Sequence, residues 1–235
     1  MLGDAGRLYV SADVVPVYRS MLPFADIISP NWFEVECVMF SAIILYVTPA
    51  RTLTDIPLND LASLRQALNV LHRDYKVPNV VISSIPLQSW LLDALPPHIR
   101  PQSLDSHLLC IASTPDAVFA HSVPLIPGYF SGVGDLFSAL LLGHYDPSDA
   151  TPLATATSQA LTKTHAMLLL THQYTQSLPP EQRFESDEEK DEAEPLRKIG
   201  RMRGRELRLI QGQGIIRGQE IGPLRKMEHW SAFWQ

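Results

Sequence analysis

Cysteine is scarce in this chain, with only Cys37 and Cys110 in 235 residues, far apart. That excludes a disulfide framework and any paired-cysteine zinc or redox motif. With so few thiols a reducing, cytoplasmic setting is predicted. Long apolar runs are missing too. The longest, Cys37 to Val47, falls short of the about 20 apolar residues a membrane helix needs. The opening residues Met1 to Arg7 lack the basic start and apolar core of a signal peptide. There is no excess of basic residues, and a formal net charge of −6 argues against a nucleic-acid partner. The eight histidines include no HExxH pair; His165 and His172 could share a helix face but are too far apart for joint metal ligation, and are read as ordinary helix residues. The apolar fraction, 46%, is ample for the core of one domain or a large part of one.

The feature that stands out is Pro127-Gly128-Tyr129-Phe130-Ser131-Gly132-Val133-Gly134-Asp135, which opens directly into the apolar run Leu136 to Leu142. Three glycines before an unbroken apolar run predict a flexible loop entering a helix. The first-turn N–H groups of a helix have no intrahelical partner, and the positive end of the dipole lies there, so Gly132, Val133 and Gly134 form a candidate anion site. Asp135 is the nearby group able to accept a proton. An anion cradle beside a carboxylate base suits phosphoryl transfer to an alcohol. No Lys-Ser/Thr pair follows, so this is not a Walker loop, and the third glycine of a dinucleotide fingerprint is missing. The structural alternative is a glycine-shaped turn with Asp135 as helix cap.

Along the rest of the chain, helices are predicted over Asp13 to Met21, Leu58 to Tyr75, Asp135 to Tyr145 and Pro152 to Gln176. In the second of these, Leu61, Leu64, Leu68 and Leu71 recur at helical spacing while Arg65, Gln66 and Arg73 face water. Strands are predicted at Leu8 to Val10, Ala25 to Ile28, Asn79 to Ser84, Leu108 to Ala112 and Asp116 to Ile126, with a late edge strand at Arg205 to Gln211. Alternating helices and continuously apolar strands predict an α/β fold with a mostly parallel central sheet flanked by helices. The polar clusters Ser29 to Glu34, Ser83-Ser84 and Gly132 to Asp135 then follow strands and meet at one rim. Glu185 to Glu194 carries seven acids and one lysine, and residues 181–200 are read as a charged, flexible loop.

Several segments carry a family resemblance. Ala25-Asp26-Ile27-Ile28-Ser29-Pro30-Asn31-Trp32-Phe33-Glu34 resembles the metal and phosphate segment of pyridoxal kinases. Gly128 to Leu142 resembles their anion-hole and catalytic-base segment, and Gly3-Asp4-Ala5-Gly6-Arg7-Leu8-Tyr9-Val10 their Gly-Asp-x-Gly-x-Tyr-Val strand. Val80 to Ser84 is similar to a nucleotide-contacting strand end, and Arg203 to Leu209 to the closing strand; the style is that of fungal members.

The resemblance implies a ribokinase-like fold and ATP-dependent phosphorylation of the 5′-hydroxymethyl group of pyridoxal, pyridoxine and pyridoxamine. It implies Asp135 as general base and the Gly132, Val133 and Gly134 amides as the anion hole. Asp4 and Glu34 would hold Mg²⁺, Asn31 and Ser83 would contact nucleotide phosphates, and Phe130 would border adenine and ribose. It also implies a monovalent cation, usually potassium, and a homodimer as a common assembly. Taken singly, Asn31 reads equally as a turn residue or N-cap, Glu34 as a first-turn helix acid and Asp4 as a turn residue.

The chain departs from the family pattern in three places. Val133 stands where many members have threonine, which removes a hydroxyl contact but no backbone N–H. Members carry several βα units before the Gly-Asp motif, so residues 1–235 are expected to be the C-terminal portion of such a kinase domain. Residues 37–51 have no counterpart and are expected to be an insertion. The alternatives are a non-catalytic nucleotide-binding remnant and another ribokinase-fold enzyme such as a hydroxymethylpyrimidine kinase.

Overall fold

The computed structural model describes residues 14–35, 53–54, 56–101, 107–128, 130–180, 183, 190, 193–219 and 221–235. Asp4, the predicted strand at Leu8 to Val10, the stretch 37–51 and most of the acidic run lie outside them. The chain divides into two compact units, Met1–Pro124 with Met227–Gln235, and Leu125–Lys226.

The first unit runs α1 (Val14–Met21), a 3₁₀ turn (Leu22–Phe24), β1 (Ile27–Ile28), α2 (Trp32–Val35), α3 (Leu61–Asn69), β2 (Asn79–Pro86), α4 (Ser89–Ala94), β3 (His107–Ser113), β4 (Val118–Pro124) and, from the C-terminal segment, β5 (Glu228–His229). Helix α3 starts where Asp60 and Ser63 form a reciprocal capping box, with Ser63 N–H donating to Asp60 Oδ1 at 2.7 Å. A π-helical turn, Val70–Asp74, prolongs it. The leucine periodicity is obeyed: Leu64, Leu68 and Leu71 are fully buried against Val80, Ile82 and Ile85 of β2 and Leu109 and Ile111 of β3. Arg65, expected to face water, instead lies along the C-terminal segment: its guanidinium donates to Ala232 O at 3.0 Å and stands 5.8 Å from the Phe233 ring.

The sheet order is β1-β2-β3-β4-β5. The α/β class stands, but the expected mostly parallel sheet is corrected among these strands. Only β1 and β2 pair in parallel; β2–β3, β3–β4 and β4–β5 are antiparallel. Two physical facts misled the reading. Leu109 to Ser113 is a continuous buried run because both faces of β3 are covered, and that pattern reports burial, not direction. And β3 turns into β4 through Thr114 to Ala117 alone, too short for the dozen or more residues of a parallel crossover.

The second unit holds α5 (Val133–His144), α6 (Pro152–Ser177), α7 (Pro195–Gly204) and α8 (Gln213–Ile216). Residues 195–200 of the charged segment thus form the start of α7. Helix α6 is unusual in burying hydroxyls: Thr157, Ser158, Thr162, Thr164, Thr171 and Thr175 are all buried. Thr162 and Thr171 each donate back to the carbonyl four residues earlier, at 2.7 and 2.8 Å, and accept from Arg225 N and Arg208 N at 2.8 and 3.2 Å. The helix therefore supplies hydrogen-bond partners for the backbone of the C-terminal loop. This also corrects the predicted edge strand at Arg205 to Gln211. Glu206 alone makes an isolated bridge, to Ser131. The Arg208 amide goes to Thr171, and Gly212 N–H turns back to Arg208 O at 2.8 Å.

Candidate active site

The glycine segment forms the predicted loop-to-helix junction. Gly128 and Gly132 hold φ of 110° and 85°, left-handed values that favour glycine. Gly132 is the N-cap of α5, and the ladder opens with Leu136 N–H donating to Gly132 O at 3.0 Å. The amides of Val133, Gly134 and Asp135 therefore precede the ladder. Asp135 stands at the third helical position and its side chain is exposed. It is not the cap, which corrects the structural alternative: the cap residue has no side chain. Among the described residues nothing lies within 4 Å of a Cβ built on Gly134, so this flank of the first turn is uncovered by them.

The loop is braced from one side by Arg205 to Leu207. Ser131 N–H donates to Arg205 O at 3.3 Å, and Arg205 Nη1 donates to Pro127 O at 3.5 Å. Phe130 is half-buried, with the Arg205 guanidinium 5.9 Å from its ring centroid and the His172 ring edge-on at 6.4 Å. Phe130, Val133 and Leu136 pack on Met167, Leu207 and Ile215. This brace was missed in the sequence: Arg205 sat inside a presumed strand, and only its pairing with a glycine loop 77 positions earlier gives it a role (205 − 128 = 77).

In the first unit, Asn31 and Glu34 are half-buried and joined reciprocally. Glu34 N–H donates to Asn31 Oδ1 at 2.9 Å, and Asn31 N–H donates to Glu34 Oε2 at 3.0 Å. This is a capping box on α2, so both residues have the structural role the sequence allowed. Ser83 is half-buried inside β2, not after it. Ile82 pairs with Ile111 but Ile85 with Leu109, so Ser83 and Ser84 together oppose Cys110 as a β-bulge. Because β1 and β2 run in parallel from the Ile28–Val80 pair, Asn31, Glu34 and Ser83 follow the same end of that pair.

Two buried basic groups were not foreseen. Lys163 Nζ donates to His144 Nε2 and to Ile216 O, both at 2.8 Å. Burial holds its pKa below the ordinary lysine value. His165, read as an ordinary helix residue, is buried with Nδ1 2.9 Å from Arg225 Nη2. Burial first, and the arginine charge second, push its pKa down to about 4. Lys163 is the single charged residue of α6 and His165 lies two positions on, which is the sequence signal for either.

The fold is of the ribokinase-like class. It matches pyridoxal kinase from Leishmania donovani, solved with ADP and pyridoxamine, at a TM-score of 0.63 and 23% identity over 97% of this chain and 59% of that one. No protein-family profile matches the chain. By sequence it is 34% identical over 175 residues to a Schizosaccharomyces pombe protein provisionally named a pyridoxal kinase, covering 72% of this chain and 47% of that protein. It is also 34% identical over 167 residues to the pyridoxal kinase of Arabidopsis thaliana, covering 68% of this chain and 45% of that protein. Over most of its length the chain is similar in sequence to pyridoxal kinases. It spans about half the length of these curated relatives.

Proposed function

We propose that this chain carries the nucleotide-binding and phosphoryl-transfer part of a pyridoxal kinase, which transfers phosphate from ATP to the 5′-hydroxymethyl group of pyridoxal, pyridoxine or pyridoxamine. One observation carries the reading: Gly132, at φ 85°, starts α5 so that first-turn amides stand beside the exposed carboxylate of Asp135. Those amides donate to the oxygens of the transferring phosphoryl group, where negative charge concentrates. Asp135 accepts the hydroxyl proton as the alcohol attacks. Val133 takes part through its backbone N–H only. Phe130 borders adenine and ribose, and Asn31 and Ser83 contact nucleotide phosphates.

Among the described residues no group of three or more His, Cys, Asp or Glu converges. Mg²⁺ needs no such cluster: it is held by one or two carboxylates together with substrate phosphates and keeps several waters. Glu34 and Asp4 would hold it, and the ion would supply charge neutralisation on the phosphates. For potassium, residues 125–128, 130 and 131 carry backbone carbonyls, the oxygen type that ion takes; one of them, Pro127 O, is already engaged by Arg205. A cytoplasmic location is in keeping with the buried, free thiol of Cys110, whose pKa burial pushes up to about 12. The acidic net charge of −6 supports small-molecule partners over nucleic acid, and a homodimer belongs to the same proposal. Residues 37–51 are proposed as an insertion in a partial kinase domain.

The test is pyridoxal phosphate formation by purified protein, with hydroxymethylpyrimidine and ribose as competing acceptors and Asp135→Asn as control. Turnover on pyridoxal that falls by about 10²- to 10⁴-fold in Asp135→Asn, with ADP still raising the thermal midpoint, is the expected result. Equal turnover in both proteins would remove the assigned base.

A further inference from the structure

Gly128 is not merely a flexible link. A Cβ at this position would lie 2.6 Å from Arg205 Cζ, so the guanidinium occupies the space that a glycine at φ 110° leaves open. From there one residue holds the loop in three ways. Its Nη1 donates to Pro127 O at 3.5 Å, its guanidinium carbon lies 5.9 Å from the centroid of the Phe130 ring, and its carbonyl accepts from Ser131 N–H at 3.3 Å. The next residue, Glu206, bridges Ser131, and Leu207 packs with Phe130 and Val133. The far end of this loop is Gly132, the N-cap of α5.

We infer that Arg205 is a positioning residue for the transfer reaction: it clamps the loop at Pro127, Phe130 and Ser131 and so fixes where α5 presents its first-turn amides and Asp135. The inference rests on the phosphoryl-transfer reading above. The physical argument is geometric. Transfer to an alcohol depends on positioning, and a misplacement of about 1 Å can cost about 10²-fold in rate. Gly128 and Gly132 bracket the loop with the two most permissive positions in the segment, so its path depends on what packs against it. Arg205 approaches only because Gly128 has no side chain, so the two residues form one device. Lysine would keep a charge near Pro127 O but lose the planar fork that reaches ring and carbonyl together.

Arg205→Leu and Arg205→Lys test this in the full chain. Two readouts are needed: steady-state turnover of ATP and pyridoxal, and hydrogen exchange at the Ser131 amide, whose acceptor is a backbone atom that neither substitution removes. In Arg205→Leu kcat is expected to fall about ten- to hundredfold, with the thermal midpoint close to wild type and Ser131 exchange faster. Arg205→Lys is expected to lie between. Unchanged Ser131 exchange in Arg205→Leu overturns the clamp whatever the turnover. Faster exchange with unaltered turnover overturns the positioning role. Absence of any transfer by the wild-type protein fails the phosphoryl-transfer reading instead, and Ser131 exchange still decides whether the clamp exists.

Discussion

His72 Nε2 lies 2.8 Å from Ser113 Oγ inside the core of the first unit, while His72 Nδ1 lies 2.7 Å from the carbonyl oxygen of Val77. A carbonyl can only accept, so Nδ1 carries a proton, while the Ser113 hydroxyl, which can donate or accept, partners Nε2. Burial disfavours the charged ring and keeps its pKa below the ordinary histidine value despite the opposing pull of the Val77 carbonyl. His165 is shifted the same way, to about 4. A folded pKa below the unfolded one means that the unfolded chain binds more protons as the solution is acidified. The stability His165 contributes is therefore complete above about pH 6.5 and lost as pH falls toward about 4, and that of His72 is lost in the same direction. The thermal midpoint is expected to drop steadily from pH 7.5 to pH 5 by calorimetry, and less steeply in His165→Leu. A flat profile over that interval would show that neither ring is held neutral.

Glu34 has two separable roles. Its Oε2 accepts from Asn31 N–H at 3.0 Å, a bond that a glutamine carbonyl can equally accept. A magnesium ligand, in contrast, needs the carboxylate charge. Glu34→Gln is expected to leave stability within about 0.5 kcal/mol of wild type. The Mg²⁺ concentration for half-maximal turnover is expected to rise at least about tenfold. Titrating magnesium at fixed ATP measures this. An unchanged magnesium requirement would leave Glu34 with the cap alone.

Much of this fold was legible because its signals are local. The leucines of α3 give their face by spacing, and the glycines before α5 mark a loop-to-helix turn without any knowledge of their neighbours. What was not legible depends on partners remote in sequence. Strand direction follows from the Thr114–Ala117 turn and from what covers β3, neither of which apolar content encodes. The bulge at Ser83 and Ser84 exists only relative to Cys110. Arg208, read as part of a strand, has its amide bonded to Thr171, 37 residues earlier.

The buried hydroxyls of α6 make contrasting expectations. Thr171 Oγ1 donates to Met167 O and accepts from Arg208 N–H, so Thr171→Val strands a backbone donor. That is expected to cost about 1–3 kcal/mol. Thr157 is fully buried and its Oγ1 has no hydrogen-bond partner among the described residues. Thr157→Val has nearly the same shape and removes an unsatisfied group, so it is expected to be neutral or stabilising by up to about 2 kcal/mol. Urea unfolding of the two variants side by side measures the difference. Equal destabilisation would mean that shape alone governs this helix.

Gly132 and Gly134 sit two residues apart and are expected to respond oppositely to alanine. At Gly132 a Cβ would touch Leu207 Cδ1 at an ordinary 3.9 Å, so space is not limiting; the strain comes from φ 85°. Gly132→Ala is expected to lose about 1–2 kcal/mol of stability. Gly134 lies within α5, shows no left-handed angle and has nothing within 4 Å of its would-be Cβ. There alanine is the better helix former, and Gly134→Ala is expected to gain about 0.5–1 kcal/mol. The new methyl, however, sits on a residue whose own amide is one of those proposed to bind the γ-phosphate. Stability should therefore rise while turnover falls, a divergence that core packing cannot produce. Chemical denaturation paired with a kinase assay on the same preparation reads both. A Gly134→Ala protein that is more stable and equally active would mean that phosphate does not approach these amides.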